Sequence, residues 1–143
     1  MKFKKEIELD LVIVGAERGH GRRTGWLSDY FLAAYDEETE DYYIVGKTFK
    51  GLTDQEFQEL TQILEEIAIK DEGWRVTVTP KIVVKCKFEG IQESQRYKSK
   101  LALRFARITE IRRDKKPTEA DTLRKVKQIY EQQFKTQTRT FNP

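Results

Sequence analysis

The spacing of apolar residues along the chain changes period several times, and each change marks an element. IELDLVIVGA (7–16) is rich in β-branched side chains and predicts a strand. WLSDYFLAAYD (26–36) and YYIVGKTF (42–49) predict two more, joined through the polar turn EETED (37–41) into an antiparallel hairpin. The period then becomes helical. Thr53 and Glu56 have capping-box spacing, and Phe57, Leu60, Ile63, Leu64 and Ile67 recur on one face, so a helix is expected to end near 70–73. Alternation returns in WRVTVT (74–79) and, after Pro80, in KIVVKCKFE (81–89), where Ile82, Val84, Cys86 and Phe88 share one face. GIQESQRYKSK (90–100) reads as a loop. From Leu101 a further strand has Leu101, Leu103 and Phe105 in phase, with Ile108 out of phase, which predicts a bulge near Ala106–Arg107. Beyond Pro117, Thr118 is placed to cap a last helix with Leu123, Val126, Ile129, Tyr130 and Phe134 as its stripe. Residues 136–143 read as a flexible tail, leaving 1–135 as one domain.

This order predicts a mainly β fold with two helices. A partly open Greek-key barrel of the oligonucleotide-binding (OB) type, five-stranded with an inserted helix and a C-terminal helix, fits it best. A small α+β sandwich is the rival. The length of 143 residues suits one domain. Mean hydropathy is −0.72, and no apolar run approaches the roughly 20 residues of a membrane-spanning helix. The opening MKFKKEIELD lacks the apolar stretch of a secretory signal, so a cytoplasmic, nucleoid-associated location is expected. A single cysteine and a single histidine argue against a disulfide, a His/Cys zinc site or a Ser-His-Asp triad.

Charge sharpens the picture through its distribution. The net charge is only +3, but residues 101–143 hold 11 Lys/Arg against 5 Asp/Glu, whereas residues 1–100 hold 16 against 19. A localised basic surface attracts phosphate backbones. Three segments carry the cations: KFKK (2–5), the glycine-arginine loop ERGHGRRTG (17–25), and LALRFARITEIRRDKKP (101–117). Within the last, RRDKKP sets four cations around Asp114, a grouping suited to a compact polyphosphate, although Asp114 could equally balance charge before Pro117.

Five blocks in register resemble the C-terminal OB-fold domain of ATP-dependent DNA ligases, in particular their bacterial and archaeal branch. They are LDLVIVGAERGHGRRTGWLS (9–28), VGKTFKGLTD (45–54), GIQESQRY (90–97), LALRFARI (101–108) and RDKKPTEADT (113–122). The resemblance places motif V, a Lys-x-Lys pair, on Lys2 and Lys4, and motif VI on Arg112, Asp114 and Lys115. It implies that Lys115 and Arg112 align the β- and γ-phosphates of ATP while a lysine of an adenylation domain attacks the α-phosphate, that Asp114 orients the pair, and that Lys2 and Lys4 reach the α-phosphate region. ATP and Mg2+ are thus the implied cofactors of the complete enzyme. The same domain is then expected to turn over and clamp nicked double-stranded DNA. Arg104 and Arg107 are the stronger implied DNA contacts, with Arg22, Arg23, Lys47 and Lys50 as further ones. Phe105 stands where the family has an aromatic that presses into the minor groove, yet its phase with Leu101 and Leu103 equally allows a core position. The chain departs from the family pattern at Ala106, where many members have Pro, and at FKGL (49–52) in place of GTGF.

The Lys-x-Asp-Gly nucleophile motif is absent; KDEG (70–73) has Glu72 where Asp is required. The chain alone is therefore expected to be inactive and to look like a domain of a larger enzyme, with the adenylation domain of the same ligase as partner. A sliding clamp is a further candidate partner, from QQFKTQTRTF (132–141). The alternative is a stand-alone module stacking single-stranded bases on Trp26, Tyr30, Tyr35, Tyr42 and Tyr43.

Overall fold

A computed structural model describes the backbone of residues 6–141 and the side chains of 6–135. Motif V residues Lys2 and Lys4 lie outside the described residues, as does most of what bears on the expected tail at 136–143.

The first strand, β1 (Ile7–Arg18), organises everything else. Its residues from Val12 to Arg18 pair antiparallel on one edge with β2 (Leu27–Asp36). The other edge is shared. Ile7–Val12 pair with β6 (Val83–Phe88), and Gly15–Glu17 pair with β5 (Arg75–Val78). The expected hairpin of β2 with β3 (Asp41–Thr48) is present. Helix α1 (Asp54–Glu66) begins at the expected capping box: the Thr53 side chain accepts from the Glu56 N–H at 3.2 Å, and Glu56 Oε1 accepts from the Thr53 N–H at 2.9 Å. Each such cap is worth about 1 kcal/mol. Phe57, Leu60 and Leu64 turn inward from α1, and Phe57 stacks on Trp26 and Tyr30.

After α1 the chain departs from expectation. Ala68–Asp71 is an edge strand, β4, rather than a helix end, and pairs with β5. The expected loop at 90–100 begins with strand β7 (Gly90–Glu93), which pairs with β8 (Leu101–Arg104) in a separate two-stranded sheet. The expected bulge is a full break: the chain leaves β8 at Phe105 and Ala106 and enters the main sheet as β9 (Arg107–Arg112) beside β6. That change of sheet is why Ile108, fully buried, lies out of phase with Leu101 and Leu103. The last helix, α2 (Leu123–Phe141), is capped by the Thr122 hydroxyl, which accepts from the Lys125 N–H, rather than by Thr118 in the preceding 3-10 turn.

The described strands thus form a seven-stranded antiparallel sheet and a two-stranded one, an OB-like barrel that backbone ladders do not close. Side chains bridge the gap between β3 and β8: Leu103 packs against Gly46, and the Ser99 hydroxyl donates to the Ile44 carbonyl at 2.7 Å. One large core fills the interior, with Leu9, Leu11, Ile13, Tyr30, Phe57, Phe88 and Ile108 almost wholly enclosed. Burying each contributes about 1.5–3 kcal/mol. On the outer face of β1, Val12, Val83 and Ala120 form a second, smaller cluster under the segment that follows β9.

Candidate functional site

Strand register assembles the late cations. β6 lies between β1 and β9, with Asp10 opposite Lys85, and Val12 opposite Val83, which in turn faces Arg112. Asp10 is two residues from Val12, so Asp10 and Arg112 share the outer face, offset by one diagonal. Asp10 is 8% exposed. Its carboxylate accepts from Lys115 Nζ at 2.6 Å and from an Arg112 guanidinium nitrogen at 3.2 Å. Its backbone is clamped in turn: the Asp10 N–H donates to Asp121 Oδ2 at 2.7 Å, and the Asp121 N–H donates to the Asp10 carbonyl at 2.8 Å. The two cations remain reachable, with side-chain exposures of 20% for Arg112 and 32% for Lys115. With Arg113 and Lys81 they line a cleft of about 190 Å³ floored by Ile63, Ile82 and Ile111. A cleft with four cations along its walls can take an anion with several oxygens.

A second basic region lies where β3 and β8 end. A small cleft of about 180 Å³ is lined by Lys47, Thr48, Phe49, Lys50, Leu103, Phe105 and Ala106. Phe105 is 60% exposed and has φ of +57°, a left-handed conformation costly for a bulky side chain. The Arg104 guanidinium lies 5.4 Å from its ring centre. Alongside runs a larger groove of about 520 Å³, lined by Phe31, Tyr42, Tyr43, Trp74 and Tyr97 together with Lys47, Arg75, Arg96 and Lys98.

The family model for the ATP dependent DNA ligase C terminal region matches residues 23–115, about two-thirds of the chain. The chain belongs to this family. DNA ligase 1 of Korarchaeum cryptofilum is 58% identical over 135 residues, 94% of this chain and 25% of that protein. A DNA ligase of Nanoarchaeum equitans is 48% identical over 141 residues, 93% of this chain and 25% of that protein. The chain therefore spans about a quarter of the length of these curated relatives. Among solved structures, the ligase domain from M. tuberculosis LigD has the same fold, with a TM-score of 0.67 at 17% identity over 80% of this chain and 38% of that chain.

Within the ligase C-terminal region, the residues expected to act sort into three groups. Arg112 and Lys115 stand together, but the carboxylate that joins them is Asp10. Asp114 is 78% exposed and approaches Arg112 only at 3.7 Å, so the orienting contacts expected of it are made by Asp10. Asp10 lies about a hundred residues upstream. Its one sequence signal is a lone acid set between Leu9 and the apolar run Leu11–Val14.

The second group consists of DNA-contact candidates that already hold internal partners. Arg107 grips Glu6 through both terminal guanidinium nitrogens, and hydrogen bonding to Arg107 draws the Glu6 carboxyl below its usual range. Arg22 pairs with Asp54. Lys47 is held by Glu17 at 3.3 Å and Asp29 at 3.5 Å, and burial raises the Asp29 carboxyl above the usual value. Arg23 places its guanidinium 4.7 Å from the Phe57 ring centre and 5.6 Å from that of Phe49.

The third group faces solvent: Arg104, Lys50 and Phe105. Phe105 is not core. Of the aromatics considered for base stacking, Tyr30 is fully buried, with its hydroxyl donating to the Leu27 carbonyl, and burial raises its pKa; it cannot form part of a platform. KDEG (70–73) spans the end of β4 and the turn into β5, where Asp71 binds Arg18 and the Gly73 N–H. Among the described residues no group of three or more His, Cys, Asp or Glu could hold a metal ion, and no helix is long and apolar enough to cross a membrane.

Proposed function

We propose that this chain serves an ATP-dependent DNA ligase in two poses. It presents Arg112 and Lys115 to the β- and γ-phosphates of ATP during self-adenylation of a lysine in the adenylation domain, then clamps nicked duplex DNA. The observation that carries the reading is the Arg112–Asp10–Lys115 cluster. Two cations are fixed on one buried carboxylate, beside an open cleft that two more cations line. Holding the pair at set angles removes the entropy cost of ordering two long side chains when phosphate arrives, and neutralising a polyphosphate is the main task in such a transfer. The nucleotide supplies the electrophilic phosphorus. This chain's share is to align the departing diphosphate and neutralise its charge, with Asp10 keeping Lys115 and Arg112 aimed. Lys2 and Lys4 serve the α-phosphate region in this reading, and Mg2+ accompanies ATP in the complete enzyme. Replication and repair are the settings in which nicked DNA arises.

In a ligase carrying this region, Lys115→Ala is expected to damage self-adenylation far more than sealing of a pre-adenylated nick, as quenched-flow assays of the two steps will measure. Equal loss in both steps refutes the division of labour. The chain alone is expected to remain unadenylated with ATP and magnesium, because it lacks Lys-x-Asp-Gly. It is expected to bind duplex DNA with a salt slope of roughly 0.9 per phosphate contact.

The more accessible aromatics of this groove, Tyr42, Tyr43, Trp74 and Tyr97, favour a second reading, single-strand binding by base stacking. Preference for a single strand over nicked duplex in a competition assay is the result that selects it.

A further inference from the structure

Among the described residues five large hydrophobic side chains are exposed: Phe49, Ile69, Trp74, Phe105 and Phe134. Isolated exposure of this kind is ordinary. Phe49 and Phe105 differ because, from segments more than fifty residues apart, they line the same small cleft. Phe49 is 48% exposed. It opens FKGL (49–52), where the string GTGF begins with glycine.

The two segments are tied by their backbones. The buried Thr48 hydroxyl donates to the Ala106 carbonyl at 2.7 Å and accepts from the Lys50 N–H at 3.1 Å. The Ile108 N–H donates to the Lys50 carbonyl at 2.9 Å. Gly51, at φ +105°, lies so close to the Ile108 carbonyl that a Cβ there would sit 1.9 Å from its oxygen. These contacts hold the two segments that carry the aromatic residues beside one another. Arg23 lies behind the Phe49 ring, Lys50 lies 6.0 Å from its centre, and Arg104 attends Phe105. Apolar tips ringed by cations complement a phosphate-walled groove with an apolar floor.

We propose that Phe49 and Phe105 form a two-pronged aromatic wedge for the minor groove of nicked duplex DNA, with Phe49 as a second prong. The proposal rests on the DNA-clamping reading above. The minor groove is about 6 Å wide, and an inserted side chain widens it by partly unstacking a base step, at a cost of a few kcal/mol per step. A nick interrupts one backbone, so the same distortion meets less resistance there. Two prongs on segments tied together therefore favour broken duplex over intact duplex more than one prong does.

The test uses the 143-residue chain with nicked and intact duplexes carrying 2-aminopurine beside the nick position, and compares Phe49→Ala, Phe49→Leu and Lys50→Ala. Phe49→Ala is expected to weaken nicked-duplex binding by at least about fivefold, the lower end of a lost aromatic contact to a base. It should reduce the 2-aminopurine fluorescence gain, leave the salt slope unchanged, and alter intact-duplex binding by less than about twofold, since the wedge contributes little where no nick eases the distortion. Phe49→Leu should restore part of the loss. Lys50→Ala should lower the salt slope by roughly 0.9. If Phe49→Ala matches the parent while Lys50→Ala weakens binding, the second prong is wrong and the DNA face stands. If both variants match the parent and binding is insensitive to salt, the DNA-clamping reading fails and takes the wedge with it.

Discussion

Asp10→Asn tests the cationic cluster most directly, because it removes one charge and almost no volume. The carboxylate it replaces is 8% exposed and accepts from Lys115 at 2.6 Å and Arg112 at 3.2 Å. Losing one partner of a fully buried ion pair costs about 3–5 kcal/mol. Here the cations keep 20% and 32% of their side-chain surface, and Arg112 retains Glu110 and Asp114 at 3.7 Å, so part of the penalty is relieved by water and by those acids. The loss should therefore be about 1–3 kcal/mol, which for a domain of this size lowers Tm by roughly 3–10 °C. The asparagine oxygen can still accept in place of Oδ2, but without the charge, and its NH2 then faces Arg112 where Oδ1 accepted before. The backbone bonds between Asp10 and Asp121 do not involve the altered group and should persist. Urea unfolding of the single variants and of Asp10→Asn/Lys115→Met measures the coupling. The double variant should be more stable than the sum of the two single effects by about 1 kcal/mol or more, because the second change removes the cation that the first orphaned. In a ligase carrying this region, Asp10→Asn should raise the KM for ATP and slow self-adenylation while nick sealing changes little. Strict additivity in the unfolding cycle, with unchanged adenylation, would falsify the claim that Asp10 aims the pair.

Gly51→Ala should destabilise the chain by more than about 2 kcal/mol, combining a positive φ with a clash against the Ile108 carbonyl; a Tm shift below a few degrees would contradict the tie between these segments. Phe105→Gly should be as stable as the parent or slightly more so, since it relieves a left-handed phenylalanine and buries nothing less; a large loss measured by urea unfolding would return Phe105 to the core. Burial pushes the Cys86 thiol up to about 12, so it should resist alkylation at pH 8 until the chain unfolds, and mass spectrometry after iodoacetamide treatment will show this. The sign of its linkage follows. The folded state holds the proton while the unfolded thiol releases it near pH 9, so stability should fall from pH 9 toward 12 by up to about 1.4 kcal/mol per pH unit from this group, with Tyr30 adding to the fall in the upper part of that range.

The sequence by itself determined the elements whose signals are local. The Thr53–Glu56 box, the apolar stripe of α1, the β2–β3 hairpin and the alternation of 82–88 each depend on neighbours within a few residues, and each stands in the structure as read. The motif blocks likewise located Arg112 and Lys115, because they are contiguous. Tertiary structure decided what depends on which strands meet. A strand reads the same whether it continues through a bulge or changes sheets, so only the pairing of β9 with β6 showed that Phe105 marks a break and projects outward. Phase alone could not separate wedge from core, since the period-two argument holds only while a strand stays in one sheet. Asp10 became the partner of Arg112 and Lys115 through a register across β6, and Glu6, Glu17 and Asp54 claimed Arg107, Lys47 and Arg22 through contacts 30 to 101 residues apart. Charge composition counts cations along a chain, but which of them remain free for an anion depends on the carboxylates that folding brings beside them.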